Sequence, residues 1–471
     1  MSAAQSQPEL DALKRFIQAW AESKRTGQVA QGADVNGDGL LDFRDAVVAI
    51  NRVLARGGTT ERISVSSAGV QANGDCDFPS LSPDGRYVVF HSYASSLVPG
   101  DTNGLCDVFV RDRSSGVTER ISVASDGREA NGASFVWRPS VSADGRYVVF
   151  VSDADNLVPR DYNGQLFSDA FLHDRAARQT VLVDVATNGE QGEYDADHTC
   201  ISADGRYVAF ESPSGNLVPD DTNWCWDVFI RNLVTGQTAR VSVSTTGTQG
   251  NDTSESPYIS ADGRYVAFES FASNLVPNDH NRSCDIFVHD CATGVTERVS
   301  VPSGGGEAND SSFAPSISAD GRYVAFESRA SNLVPNDTND RSDIFVYDRH
   351  TGLIKRVSVS STGEQANNGS TDAHISADGR YVVFVSYASN LVPGDTNHLS
   401  DVFVHDMATG ETVRVSVSSS GEQANGDSYH PFISADGRFI VFACAASNLV
   451  PGDTNDAVDI FIHDRWPWLG R

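Results

Sequence analysis

The chain is nearly devoid of lysine. Of 471 residues only Lys14, Lys24 and Lys355 are lysine, and methionine occurs twice. With 63 acidic side chains against 35 Lys and Arg, the formal charge is −28. Nucleic acid and anionic membranes are bound by Lys and Arg meeting phosphate, so they are poor partners for this surface, and no nucleic acid is expected to bind. No run approaches the ~18 apolar residues needed to span a bilayer. The opening residues, MSAAQSQPELDALKRF, hold no apolar signal core, which leaves a cytoplasmic protein or a mature form lacking its leader; the calcium motifs below favour the second. No G-x-S-x-G elbow, phosphate loop or zinc motif occurs, so no catalytic residue and no organic cofactor is expected. The seven cysteines are odd in number. Cys76 with Cys106 and Cys200 with Cys225 are candidate disulfides. Cys284 and Cys291 lie at opposite ends of one strand, roughly 23 Å apart, too far to pair.

What the chain does have is glycine (40 residues) and a long period. A tight-turn aspartate recurs at Asp84, Asp144, Asp204, Asp262, Asp320, Asp378 and Asp436, in two steps of 60 residues and then steps of 58. Each repeat reads as four short strands. A PSIS-like strand meets an ADGR turn, and RYVAF follows. A long loop leads to DIFVHD, and an ATG turn to ERVSV. The Asp-Gly and Thr-Gly pairs supply the glycine that hairpins need. Near-continuous apolar strands suit blades covered on both faces. Four strands repeated seven times predict an all-β, seven-bladed β-propeller. The last repeat stops after its third strand, Asp459 to Asp464, while an ERISV strand, Glu61 to Val65, precedes the first turn. The N-terminal strand should therefore complete the last blade and close the ring.

Ser82-Pro83-Asp84-Gly85 and its six Ala-Asp-Gly counterparts, each followed by a DIFV-type strand, resemble the TolB-like class of WD-type propeller repeats. The resemblance covers roughly residues 59–465. It implies the propeller fold; such propellers serve as platforms, enzymes and scaffolds, so it does not imply an activity.

A second register lies in the long loops. It reads Asp101, Asn103, Asp107; Asp161, Asn163, Asp169; Asp221, Asn223, Asp227; and Asp279, Asn281, Asp285. It continues as Asp337, Asn339, Asp343; Asp395, Asn397, Asp401; and Asp453, Asn455, Asp459. Oxygens at positions 1, 3 and 7 of a tight loop can converge on calcium; alternatively, Asp and Asn there bond to nearby turn amides. The expectation is calcium in several of these loops. Glu211, Glu269 and Glu327 end the second strand of three blades and are expected to be solvated. His173, His289, His405 and His463 precede an Asp at the end of the third strand and are expected to be structural. Residues breaking the repeat in the loops, Gln165, Phe167, Trp224 and Trp226, are the candidates for any site of catalysis.

Residues 1–58 form a separate module. Leu10, Leu13, Phe16, Ile17 and Trp20 share one helical stripe, and a second helix is expected over 43–55. Between them Asp34, Asn36, Asp38, Leu40, Asp42 and Asp45 occupy positions 1, 3, 5, 7, 9 and 12 of an EF-hand loop, with Gly39 at the sharp turn. Asp at position 12 is similar to dockerin repeats. That resemblance implies calcium and a cohesin-like partner, although dockerins carry two such loops and one is present here. The expected organisation is an EF-hand-like helical domain at 1–58 and the propeller at 59–471.

The long loops and blade connectors should share one face, the usual interaction face of a propeller. The leading expectation is a monomeric calcium-binding propeller, secreted, periplasmic or at the cell surface. It would bind a protein or polysaccharide on that face as a binding or scaffold protein. The alternative is a hydrolase or lyase acting there on polysaccharide or peptide.

Overall fold

The computed structural model of the chain describes residues 58–466. The helical stripe and the EF-type loop from Asp34 to Asp45 lie outside the described residues. Within them, 28 strands form seven four-stranded antiparallel sheets, six of them in sequential order. No helix among the described residues is long and apolar enough to cross a membrane.

Closure follows the expected scheme, shifted toward the N-terminus. β1 (Thr59–Arg62) pairs antiparallel with β28 (Asp459–Asp464), with Thr59 opposite Asp464 and Arg62 opposite Phe461. The blade is completed by β27 (Phe439–Cys444) and β26 (Ser428–Ile433). The ring is thus fastened by strands from both ends of the chain.

Each blade buries a phenylalanine pair directly opposed across its second and third strands. Phe90 faces Phe109 and Phe442 faces Phe461, with ring centroids 5.9 and 6.1 Å apart. Full burial of such a side chain contributes about 1.5–3 kcal/mol. The apolar clusters run between blades: Val89 and Val108 of the first pack with Val148 and Phe150 of the second. This explains the near-continuous apolar strands, since both faces of each sheet are covered.

The Asp-Gly turns interlock neighbouring blades. Gly145 has φ +70°, and a Cβ there would lie 2.2 Å from the Tyr87 ring of the preceding blade. The turn residues also form a ring of backbone bonds around the axis. Ala143 N–H donates to Ala203 O at 2.9 Å, and the series continues through Ala261, Ala319 and Ala377 to Ala435. Ala435 donates to Pro83 O at 2.9 Å. Proline has no N–H, so seven positions are joined by six bonds.

All seven cysteines are free thiols. The candidate pairs Cys76–Cys106 and Cys200–Cys225 are therefore not formed. Cys76 is fully buried, with its sulfur 3.1 Å from Ser92 Oγ.

Candidate functional site

In six blades, an arginine lies between the two carboxylates expected to hold calcium. It ends the outer strand: Arg120, Arg240, Arg298, Arg356, Arg414 and, from β1, Arg62. Its Nη1 stands 3.0–3.4 Å from the first aspartate (Asp101, Asp221, Asp279, Asp337, Asp395, Asp453). It stands 3.0–3.5 Å from the second (Asp107, Asp227, Asp285, Asp343, Asp401, Asp459). The second aspartate also accepts from a serine, as Asp107 does from Ser122 at 2.5 Å. Asn103 donates to Asp107 at 2.9 Å and accepts the Leu105 amide at 2.9 Å; Asn223, Asn281, Asn339, Asn397 and Asn455 also donate to their strand-starting aspartates. The donor set in these six loops is thus already satisfied by a resident cation, and the calcium expectation does not fit them. The missed signal was the arginine of ERISV and ERVSV.

At several of these carboxyls burial outweighs the arginine. It raises Asp107, Asp227 and Asp343 above the usual range and pushes Asp279 up to about 6. The turn arginines act in the opposite sense. Arg86 clamps Asp112 through two bonds of 2.9 and 2.8 Å and holds its carboxyl well below the usual range. The strand-end histidines are buried: Nδ1 of His173, His289 and His405 lies 2.9 Å from a threonine hydroxyl, and that of His463 lies 3.0 Å from Thr60 Oγ1. Burial lowers His405 and His463 to about 4.

The repeat breaks down at the axis. Every innermost strand whose side chains are described carries a bulge, and the residue in it has positive φ: Phe78, His198, Ser256, Ala314, Asp372 and His430, between 43° and 53°. Such φ values favour glycine, Asn or Asp, yet the side chains here are varied and several are large. Bulges redirect side chains and commonly border sites. These six side chains border the axis, where two cavities of about 400 Å³ each meet. The cavity toward the Asp-Gly turns is apolar, walled by Leu81, Ile201, Ile259 and Ile317 above the alanine ring. The other opens among the long loops and is lined by Glu269, Glu327, Asp372, His374, Tyr387 and Tyr429, with the bulge residues.

The glutamates expected to be solvated serve this mouth. Glu211 is buried, accepting the Ser256 amide at 2.5 Å and pairing with His198 Nδ1 at 2.8 Å. Glu269 accepts the Ala314 amide at 2.6 Å. Burial raises the Glu327 carboxyl. Glu255, opposite Glu269 in register, is pushed up to about 7 by burial and by the charges of Glu211 and Glu269. Across the axis His430 stacks on Phe78 with centroids 3.7 Å apart and bonds Asp77 at 2.7 Å. Burial alone would raise Asp77, but His430 brings it below the usual range. Gln165, Phe167, Trp224 and Trp226 sit in the long loops instead, with Trp224 82% exposed. Among the described residues, no three His, Cys, Asp or Glu side chains converge as a formed metal centre.

No sequence family and no curated protein matches the chain. Solved structures share its fold at low identity. An oligogalacturonate lyase in complex with manganese aligns with TM-score 0.51 at 13% identity, over 86% of this chain and 96% of its own. The β-propeller domain of the Trilobed protease from Pyrococcus furiosus aligns with TM-score 0.50 at 11% identity, over 84% and 96%. That domain is described as an open velcro, whereas here β1 closes the ring. TolB from Acinetobacter baumannii aligns with TM-score 0.39 at 14% identity, over 72% of this chain and 63% of its own length. Identities this low show the fold alone, and the described residues form an all-β, seven-bladed propeller of four-stranded blades.

Proposed function

We propose that the protein is a binding protein that receives a basic peptide segment, or a basic loop of a protein partner, at the axial mouth on its long-loop face. The observation that supports this is the lining of the axial cavity, where Glu269, Glu327 and the bulge residue Asp372 stand among aromatic rings. Glu269, Glu327 and Asp372 line it from blades four to six, with Glu255 and Glu211 beside Glu269, while Phe78, Tyr387, Tyr429 and Phe432 offer ring faces. Carboxylates with aromatic faces suit an ammonium or guanidinium group. The acidity of the whole chain would speed the encounter at low salt. Residence outside the cytoplasm, calcium in the Asp34–Asp45 loop and a cohesin-like partner for residues 1–58 belong to the same proposal. A peptide array of varied charge, probed at two salt concentrations, tests it. Lys- and Arg-bearing peptides should be retained, less so at high salt. Retention indifferent to charge would contradict it.

One observation favours a second reading, an acid–base enzyme acting on polysaccharide or peptide. A carboxyl near 7 beside the His198–Glu211 pair is poised for proton transfer. Chain cleavage of polysaccharides or peptides by the wild type that is lost in Glu255→Gln would establish it. No cleavage across such a panel would remove it.

A further inference from the structure

Blade two departs from the other six in the residues around its long loop. Its outer strand β9 (Gln179–Leu182) places Leu182 opposite Phe171, the register position that Arg120 holds opposite Phe109 in blade one. Two residues on, where blade one has Ser122, stands Asp184. Its Oδ1 accepts the Ala170 amide at 3.1 Å, as Ser122 Oγ accepts the Val108 amide at 3.1 Å. The blade thus gathers Asp161, Asp169 and Asp184 and has lost the arginine that balances two aspartates elsewhere.

One point in this cluster is ringed by oxygen. The Gln191 amide nitrogen lies 3.1 Å from Asp161 Oδ1, 2.9 Å from Asn163 Oδ1 and 3.0 Å from each oxygen of Asp169. An amide has two protons to offer four acceptors. Asp184 is 0% exposed and its carboxyl meets that of Asp169, a contact that is a hydrogen bond only while the pair keeps a proton; with both ionised its Oδ2 has no donor, and Asp161 Oδ2 is also buried without one. A buried carboxylate oxygen left unpaired is costly, and like charges in contact add to the cost.

We propose that blade two alone binds a hard divalent cation, calcium, at the point held by the Gln191 amide nitrogen, with Asp161, Asn163 and Asp169 as ligands and Asp184 completing the charge. The donors are all oxygen, which selects calcium over the softer metals. Drawing four oxygens inward from ~3 Å to calcium distances of ~2.3–2.6 Å needs only small side-chain movements. The Gln191 amide holds this point, so its side chain must swing out as the ion enters. The inference is independent of the axial mouth.

Counting calcium on the full chain by native mass spectrometry tests it. Leu182→Arg with Asp184→Ser restores the pattern of the other blades and should bind one calcium fewer than the wild type. Any calcium held by the Asp34–Asp45 loop is common to both and cancels. Asp184→Asn keeps the side-chain shape, so it tests the site even where the double variant fails to fold. It should weaken one calcium-binding event at least about tenfold, since affinity follows ligand charge. Equal counts in wild type and double variant, or calcium affinities unchanged by Asp184→Asn, would overturn the proposal and leave Asp169 and Asp184 as a proton-sharing pair.

Discussion

Arg62, in the first strand, donates from Nη1 to Asp459 Oδ2, in the last, at 3.2 Å, and the same nitrogen lies 3.2 Å from Asp453. One side chain therefore joins the ends of the ring and fills the place where the loop motif alone suggests a metal. Removing it leaves Asp459, fully buried, without its cation. Arg62→Ala should destabilise the propeller by about 3 kcal/mol, the cost of orphaning a buried charge. Urea denaturation read by tryptophan fluorescence checks this, and a loss under 1 kcal/mol would contradict it.

Closure predicts a contrast between two truncations. Deleting residues 1–56 spares β1, whereas deleting 1–66 removes it and exposes the edge of β28. The second variant should melt far lower and aggregate, as unpaired edges do. Equal melting temperatures would argue that the ring does not depend on this strand.

Much of the fold was legible because its signals are repeated and local. Asp84 and its six counterparts fixed the period, and the missing last strand fixed the closure. Asp107 and its equivalents misled for a physical reason. A carboxylate pair looks the same in sequence whether it holds a metal or an arginine 13 residues away, as Asp107 holds Arg120. The decisive residue sat in the next strand, and Leu182 in its place was the trace of blade two's difference. The axial mouth was harder to see, because Ala314, Asp372 and His430 occupy one register position yet share no chemistry. Only the bulge geometry shows that they face one cavity.

The Glu255 carboxyl gives a pH signature. Its folded pKa, about 7, lies above that of an unfolded glutamate. The folded state therefore binds this proton more tightly, and ionisation erodes stability as pH rises from about 4.5 through 7. Glu255→Gln should match the wild type near pH 4.5 and exceed it at pH 8. The gain should be on the order of 1 kcal/mol, discounted because the group is only partly buried. Parallel thermal melts across that range check the sign. A variant less stable than the wild type at pH 8 would contradict it.

Seven free thiols imply a simple count. Denatured, unreduced protein should react with seven equivalents of Ellman's reagent per chain. Five or fewer would reveal a disulfide, and with it a different packing around Cys76 or Cys200.

The axial mouth as a basic-peptide site is tested most directly by calorimetric titration of one array-selected Lys- or Arg-bearing peptide into wild type and Glu269→Gln. The glutamine can still accept the Ala314 amide, so the bulge is kept while the charge is removed. The account predicts binding at least about tenfold weaker in the variant, the order of one charge-assisted hydrogen bond, with a melting temperature no lower than the wild type's, since the repulsion on Glu255 is relieved. Equal affinity for both proteins would contradict it.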